Sequence, residues 1–342
     1  MGRAAAFAAA FAAAFAAAFA AAFVMVLAGP ASAATFLGAT SAHVFGDSNT
    51  DRGRIHDLSF GRVPQSPPYW KGRFSDGPVW AEPIEAAFRK AGAPTSNRAY
   101  GGAKARRDRD GIPDLQAQAQ AYRDLPSARK GKAPWAFLYI GYNDLLDRVG
   151  KSDIVSVARK AANQVAEAAR WLMGRGVTRV TAMNFVDLAH VPKFDGRPGR
   201  QASATAGIEA FNARHEERMG ALAATGRDVH VFDVKGAFDR LLADPGAYGI
   251  TEVRRPCLVG GVRCSKAEAA GRLFFDDLHP SATAHAALAA LLLDDMTARY
   301  APPVAVASAA APPAPVPLPA PAALLLGGLA ALALVARRRR RA

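Results

Sequence analysis

Residues 43–53 read HVFGDSNTDRG, and two incompatible folds can be built around them. Asp47, Asn49 and Asp51 are oxygen ligands at alternate positions, with glycine at Gly53, which is how a calcium loop starts. The same residues can form a short strand, HVF, ending in a sharp turn that exposes Ser48, which is how a hydrolase presents its nucleophile. Spacing separates the two. An EF-hand loop needs glycine at its sixth position and a bidentate glutamate at its twelfth. Counted from Asp47, those positions hold Arg52 and Leu58. The flank is also strand-like where an EF-hand has a helix. The nucleophile reading is the stronger, and no metal is expected.

Outward from this stretch, strands and helices alternate. Short apolar runs at 42–46, 177–186 and 228–234 read as strands, 134–144 as a buried strand running into a polar loop, and 94–102 as a strand followed by a tight Gly-Gly turn. Amphipathic runs at 75–92, 112–125, 152–176, 204–226 and 281–300 read as helices. The first is expected to be capped by Ser75 or Asp76 and the third by Ser152 or Asp153, with glycines near both ends. Strands spaced by helices of this length imply a parallel sheet with helices on both faces. Sites in such sheets form at the carboxyl ends of strands, where GDSN, GGA, GYND and DDLHP fall.

Both ends of the 342-residue chain differ from this middle. Residues 1–33 pair one basic residue, Arg3, with a long apolar Ala/Phe run and a small-x-small ASA site, the pattern of a signal peptide. An uncleaved membrane anchor is the alternative. Residues 302–315 are a Pro/Ala linker. Residues 316–342 carry an apolar segment about long enough to span a bilayer, then Arg337 to Arg341, which the positive-inside rule keeps cytoplasmic. The domain expected between them is 35–301.

The net charge is +14; setting aside Arg3 and the five tail arginines, which have no acids beside them, leaves +8. The densest basic patch is Lys104, Arg106, Arg107 and Arg109. Interleaved acids and export argue for a solvated loop and against nucleic acid as a partner. Cys257 and Cys264 flank a short loop with two glycines. In an oxidising compartment they are expected to form a local disulfide, and too few ligands lie nearby for a metal.

A serine nucleophile needs a base, most often histidine. Of the seven histidines, one has an acid three residues earlier in a loop that opens a helix: His279, with Asp276. A D-x-x-H turn lets the carboxylate reach the far ring nitrogen. The D-x-x-H spacing alone is a weak signal.

The set of motifs is more specific. FGDSNTD (45–51), GRFSDGPVWAE (72–82), NRAYGGA (97–103), YIGYNDL (139–145) and FFDDLHPSATAH (274–285) resemble, in order, five blocks of the GDSL esterase/lipase family within the SGNH hydrolase superfamily. They are most similar to its phospholipase/lecithinase/haemolysin-like branch. The resemblance implies a three-layer α/β/α sandwich of flavodoxin-like type. It also implies a serine hydrolase of carboxylic esters that uses no cofactor. Ser48, His279 and Asp276 would form the triad. Ser48, Gly102 (or Gly101) and Asn143 would form the oxyanion hole. Departures include Asn49 after the serine, Phe275 and Ser281; none removes a catalytic atom. Asp47 and Asp144 are expected to hold their loops, Asp277 to stand outside the triad, and His285 to be structural.

The C-terminal tail resembles PEP-CTERM sorting signals of the VPLPA variant. That resemblance implies export and handling by an exosortase-like enzyme at the inner membrane, leaving the protein at the bacterial envelope, on the surface or secreted. A plain C-terminal anchor shares that topology. Substrates consistent with the family are lipid, acyl-sugar and small esters. A polysaccharide O-deacetylase, or a surface binding protein that keeps the fold without turnover, are the alternative functions.

Overall fold

The computed structural model describes residues 35–301. The expected signal peptide (1–33), linker (302–315) and sorting segment (316–342) lie outside the described residues. Five strands make the central sheet: β1 (Ser41–Gly46), β2 (Thr95–Asn97), β3 (Pro134–Tyr139), β4 (Arg179–Met183) and β5 (Asp228–Phe232). Their order is β2-β1-β3-β4-β5 and every neighbouring pair is parallel. Parallel neighbours cannot be joined by tight hairpins, so helical crossovers are obligatory. The six longer helices are α1 (Ala81–Lys90), α2 (Leu115–Arg123), α3 (Ile154–Met173), α4 (Pro198–Ala223), α5 (Val234–Ala243) and α6 (Ala282–Tyr300).

Side-chain alternation sorts these helices into two layers. In the β1–β3 register Ala42 stands beside Trp135 and Val44 beside Phe137. This face meets α1 and α6: Phe88 packs edge-on to both Trp135 and Phe137, and Tyr300 packs edge-on to Trp135. The opposite face carries His43, whose ring meets Tyr122 of α2. There α2 packs on α3, and α3 on α4. Every residue of β1 and β3 is buried, which is why both read as nearly continuous apolar runs.

The chain leaves β1 towards β2 and later returns on the other side as β3. The space beyond the carboxyl ends of β1 and β3 is therefore a topological switch point, where α/β sheets place ligands. Gly46 makes the turn there. A Cβ on it would fall 2.5 Å from the Thr50 Cβ, so only glycine permits so abrupt an exit.

Two expected boundaries shift for identifiable reasons. Helix α1 starts at Ala81 after Trp80, with no side-chain cap. Ser75 instead donates to the Pro280 carbonyl (3.0 Å), and Asp76 accepts from Ala282 N (2.7 Å). Both residues hold the start of α6, not their own helix. Helix α4 begins at Pro198, six residues before the expected start, because proline at the first position is preset for helical φ and loses no bond there.

Candidate active site

Ser48 sits in the turn that closes when Thr50 N and Asp51 N donate to the Asp47 carbonyl (3.0 and 2.9 Å). Its Oγ lies 2.9 Å from His279 Nε2. His279 Nδ1 lies 2.8 Å from Asp276 Oδ2. With Nδ1 protonated and donating to the carboxylate, Nε2 is left to accept the serine hydroxyl proton. Asp276 Oδ1 also accepts the backbone N–H groups of Leu278 and His279 (2.8 and 2.6 Å). The D-x-x-H spacing thus closes a turn around the carboxylate. Phe275 N bonds to the His279 carbonyl at 2.9 Å, and Ser281 caps α6 by accepting from Ala284 N at 3.2 Å. Both contacts hold the loop.

Burial disfavours the imidazolium of His279, but the Asp276 charge and hydrogen bond outweigh it and the net shift is upward. Burial likewise disfavours ionised Asp276. The charge and hydrogen bonds of His279, with one from Tyr69, hold that carboxyl well below the usual range. Each partner therefore stabilises the charged form of the other.

Asn143 follows β3. Its Nδ2 donates to the Ala103 carbonyl (2.9 Å), leaving a second amide hydrogen. That bond ties Asn143 to the turn after β2, which is itself drawn towards β1 by Tyr100 N donating to the Gly46 carbonyl (3.3 Å). Gly101 N–H is engaged by Asp51 Oδ2 at 2.8 Å. Gly102 has φ +81°, which favours glycine, and no partner for its N–H is found among the described residues. Of the two glycines, Gly102 is thus the one whose N–H is free among the described residues.

The acids around Ser48 hold backbone. Asp51 accepts from Gly53, Arg54 and Ile55 as well as Gly101. Asp47 accepts from Asn49 N (3.1 Å) and is fully buried, which pushes its carboxyl up to about 7. Asp144 accepts from Ala105 N, Arg106 N and Arg106 Nε. Lys104 is paired with Asp108 and Asp147, so much of the basic patch is neutralised internally. Asp277 is exposed and pairs with Lys193. Asp187 stands at the same offset from His190 as Asp276 from His279, but it caps a short turn through Ala189 N and accepts from Thr205. His285 is buried in α6 without a hydrogen-bond partner among the described residues, and burial pushes it down to about 3.

Tyr69 was not anticipated. Its hydroxyl donates to Asp276 Oδ2 at 2.7 Å, and its ring packs edge-on to Phe275 and Phe74. Phe74 in turn covers the His279 ring, with centroids 4.9 Å apart. The Cys257–Cys264 disulfide joins the same cluster, with Cys257 packed near Phe275 and Tyr69. No short-range sequence signal links Tyr69 to the site.

A cavity of about 880 Å³, counting its open mouth, leads away from Ser48, Asn143 and His279. Its walls include Val186, Leu188, Val234, Phe238, Leu278 and Leu288, so it runs between α5 and α6 and is overwhelmingly apolar.

A family model described as GDSL-like Lipase/Acylhydrolase matches residues 43–292. The chain is 26% identical over 226 residues to the phosphatidylcholine-sterol acyltransferase of Aeromonas hydrophila, covering 64% of this chain and 65% of that protein. It is 24% identical over 268 residues to the thermolabile hemolysin of Vibrio parahaemolyticus, covering 73% and 62% respectively. It thus spans just under two thirds of the length of these relatives. The lipase/acylhydrolase of Enterococcus faecalis is similar in structure, with a TM-score of 0.40 and 16% identity over 76% of this chain and 96% of that one.

Proposed function

This chain belongs to the GDSL-like lipase/acylhydrolase family, and from that premise we propose that it is a serine hydrolase of carboxylic esters. The observation that carries the proposal is the continuous hydrogen-bonded line Ser48 Oγ, His279 Nε2, His279 Nδ1, Asp276 Oδ2 at the mouth of a cavity. Ser48 Oγ attacks the ester carbonyl while His279 takes its proton. The alcohol C–O bond then breaks, and His279 gives that proton to the leaving alcohol. Water repeats the sequence on the acyl-enzyme. Asp276 fixes the tautomer and stabilises the imidazolium. The N–H groups of Ser48 and Gly102 and the free amide hydrogen of Asn143 serve the oxyanion. Loss of one such donor costs about a hundredfold in kcat.

The apolar cavity favours an acyl chain over acetyl as the acid part of the ester. An acetyl group would leave the apolar walls formed by Val234, Phe238 and Leu288 without a partner. Export is part of the proposal, and the Cys257–Cys264 bond supports an oxidising compartment. No helix of the described residues is long and apolar enough to cross a membrane.

The test is hydrolysis of p-nitrophenyl esters of increasing acyl length. Turnover should rise from acetyl to medium chains, and Ser48→Ala should reduce it at least about a thousandfold with the fold unchanged. Turnover that survives in Ser48→Ala would remove the proposal. A preference for acetyl would remove its acyl-chain part.

A further inference from the structure

Five large hydrophobic side chains are exposed among the described residues: Leu58, Phe60, Val63, Val259 and Val262. Scattered singly they would need no explanation. Instead they fall on two short segments. Phe60 is 90% exposed, with Leu58 and Val63 close by in sequence. Val262 is 74% exposed, at the tip of a two-stranded hairpin formed by Leu258–Val259 and Val262–Arg263.

Both segments are anchored at one residue, Phe275. The first continues into Tyr69, whose N–H is held by the Gln65 carbonyl (3.2 Å) and whose ring meets Phe275. The hairpin is pinned to the same residue by Leu258 N donating to the Phe275 carbonyl (2.6 Å), and to itself by the disulfide. Phe275 is next to Asp276 in sequence. Both segments are therefore anchored on the aspartate side of the candidate active site.

Charge indicates what would cover them. Arg62 and Lys71 are exposed on the first segment, and Arg254, Arg255, Arg263 and Lys266 around the hairpin. The exposed acids there are Asp57, Glu268 and Asp277, the last paired with Lys193, while Asp76 faces Arg263 and Glu252 is held by Arg255 and Arg272, so cations remain in excess. Apolar tips rimmed by an excess of cations fit the boundary of an anionic bilayer, where side chains enter the acyl region and bases meet headgroups.

We propose that these two loops dock the domain on an anionic lipid surface, beside the triad. The surface is distinct from the acyl cavity and does not depend on the ester being hydrolysed. A second copy of the chain is the competing occupant.

Both cysteines of the chain are in the disulfide, so a new thiol is unique. Phe60→Cys, Val262→Cys and Ala224→Cys are labelled in the full chain with a polarity-sensitive dye. Ala224 is exposed at the amino end of β5, away from the site. Vesicles of mixed phosphatidylglycerol and phosphatidylcholine should shift emission to the blue at positions 60 and 262 and not at 224. Pure phosphatidylcholine should do so less. Adding Val262→Asp to the Phe60 label should raise the lipid concentration at half-shift about tenfold. The terminal segments are common to all labelled chains, so the contrast between positions reports the loops. No shift at 60 and 262, or an equal shift at 224, overturns the proposal. A shift that grows with protein concentration and needs no vesicles also overturns it and assigns the surface to self-association.

Discussion

Asp276 and His279 move each other's titration in opposite directions, and this can be read in kinetics. His279 must be neutral to accept a proton. Its imidazolium is stabilised by Asp276 above the ordinary value of 6.5, so kcat/KM should fall as pH drops through a midpoint above 6.5. In Asp276→Asn burial is opposed only by the more modest charges of Asp47 and Asp277, so the midpoint of the residual activity should move down, with a rate loss of about ten-thousandfold. Tyr69→Phe tests the hydroxyl that shares Asp276 Oδ2 with His279. Without that donor the carboxylate becomes more basic and holds the imidazolium more tightly. The acid limb should move to higher pH and kcat fall a few-fold, with KM unchanged. An unmoved acid limb would reduce Tyr69 to packing. Ser48, Asn143, Asp276 and His279 were legible because each sits in a block with its own local spacing. Tyr69 was not, because its partner is 207 residues away and the tyrosine stands in no recognisable pattern.

The elements were legible where periodicity is local and illegible where side chains act at a distance. The strand at 42–46, the strand opening 134–144 and the helix 281–300 could be read from the local apolar pattern. The start of α1 could not, because Ser75 and Asp76 cap across the molecule onto Pro280 and Ala282. The cavity was equally hidden, since its walls come from segments far apart in sequence. Ala237, buried on α5 and lining it, gives a test at this scale. Ala237→Phe should fill the passage between α5 and α6. We expect kcat/KM for long acyl esters to fall about tenfold or more while acetyl and butyryl esters are retained, at a stability cost of about 1–3 kcal/mol from overpacking. An unchanged chain-length profile would mean that the acyl chain leaves by another route.

At the scale of the whole molecule, the parallel α/β sheet was legible because buried strands and amphipathic helices alternate, and the switch point between β1 and β3 then brings Ser48 and Asn143 to one edge. What the blocks did not convey is how the last part of the chain supports that edge. Cys257 and Cys264 close a loop only seven residues apart in sequence, yet Cys257 is buried against Phe275, which carries Tyr69, which holds Asp276. Constraint of the unfolded chain by so short a loop is worth about 2–3 kcal/mol. Replacing both residues by alanine should lower the unfolding free energy, read by urea titration, by about that amount. If the cluster also positions Asp276, the double variant should share the upward drift of the acid limb seen in Tyr69→Phe, and Tyr69→Phe added to it should shift the limb little further. Full additivity of the two shifts would show that the disulfide steadies the domain without steadying the triad, because sites that share no partner add independently.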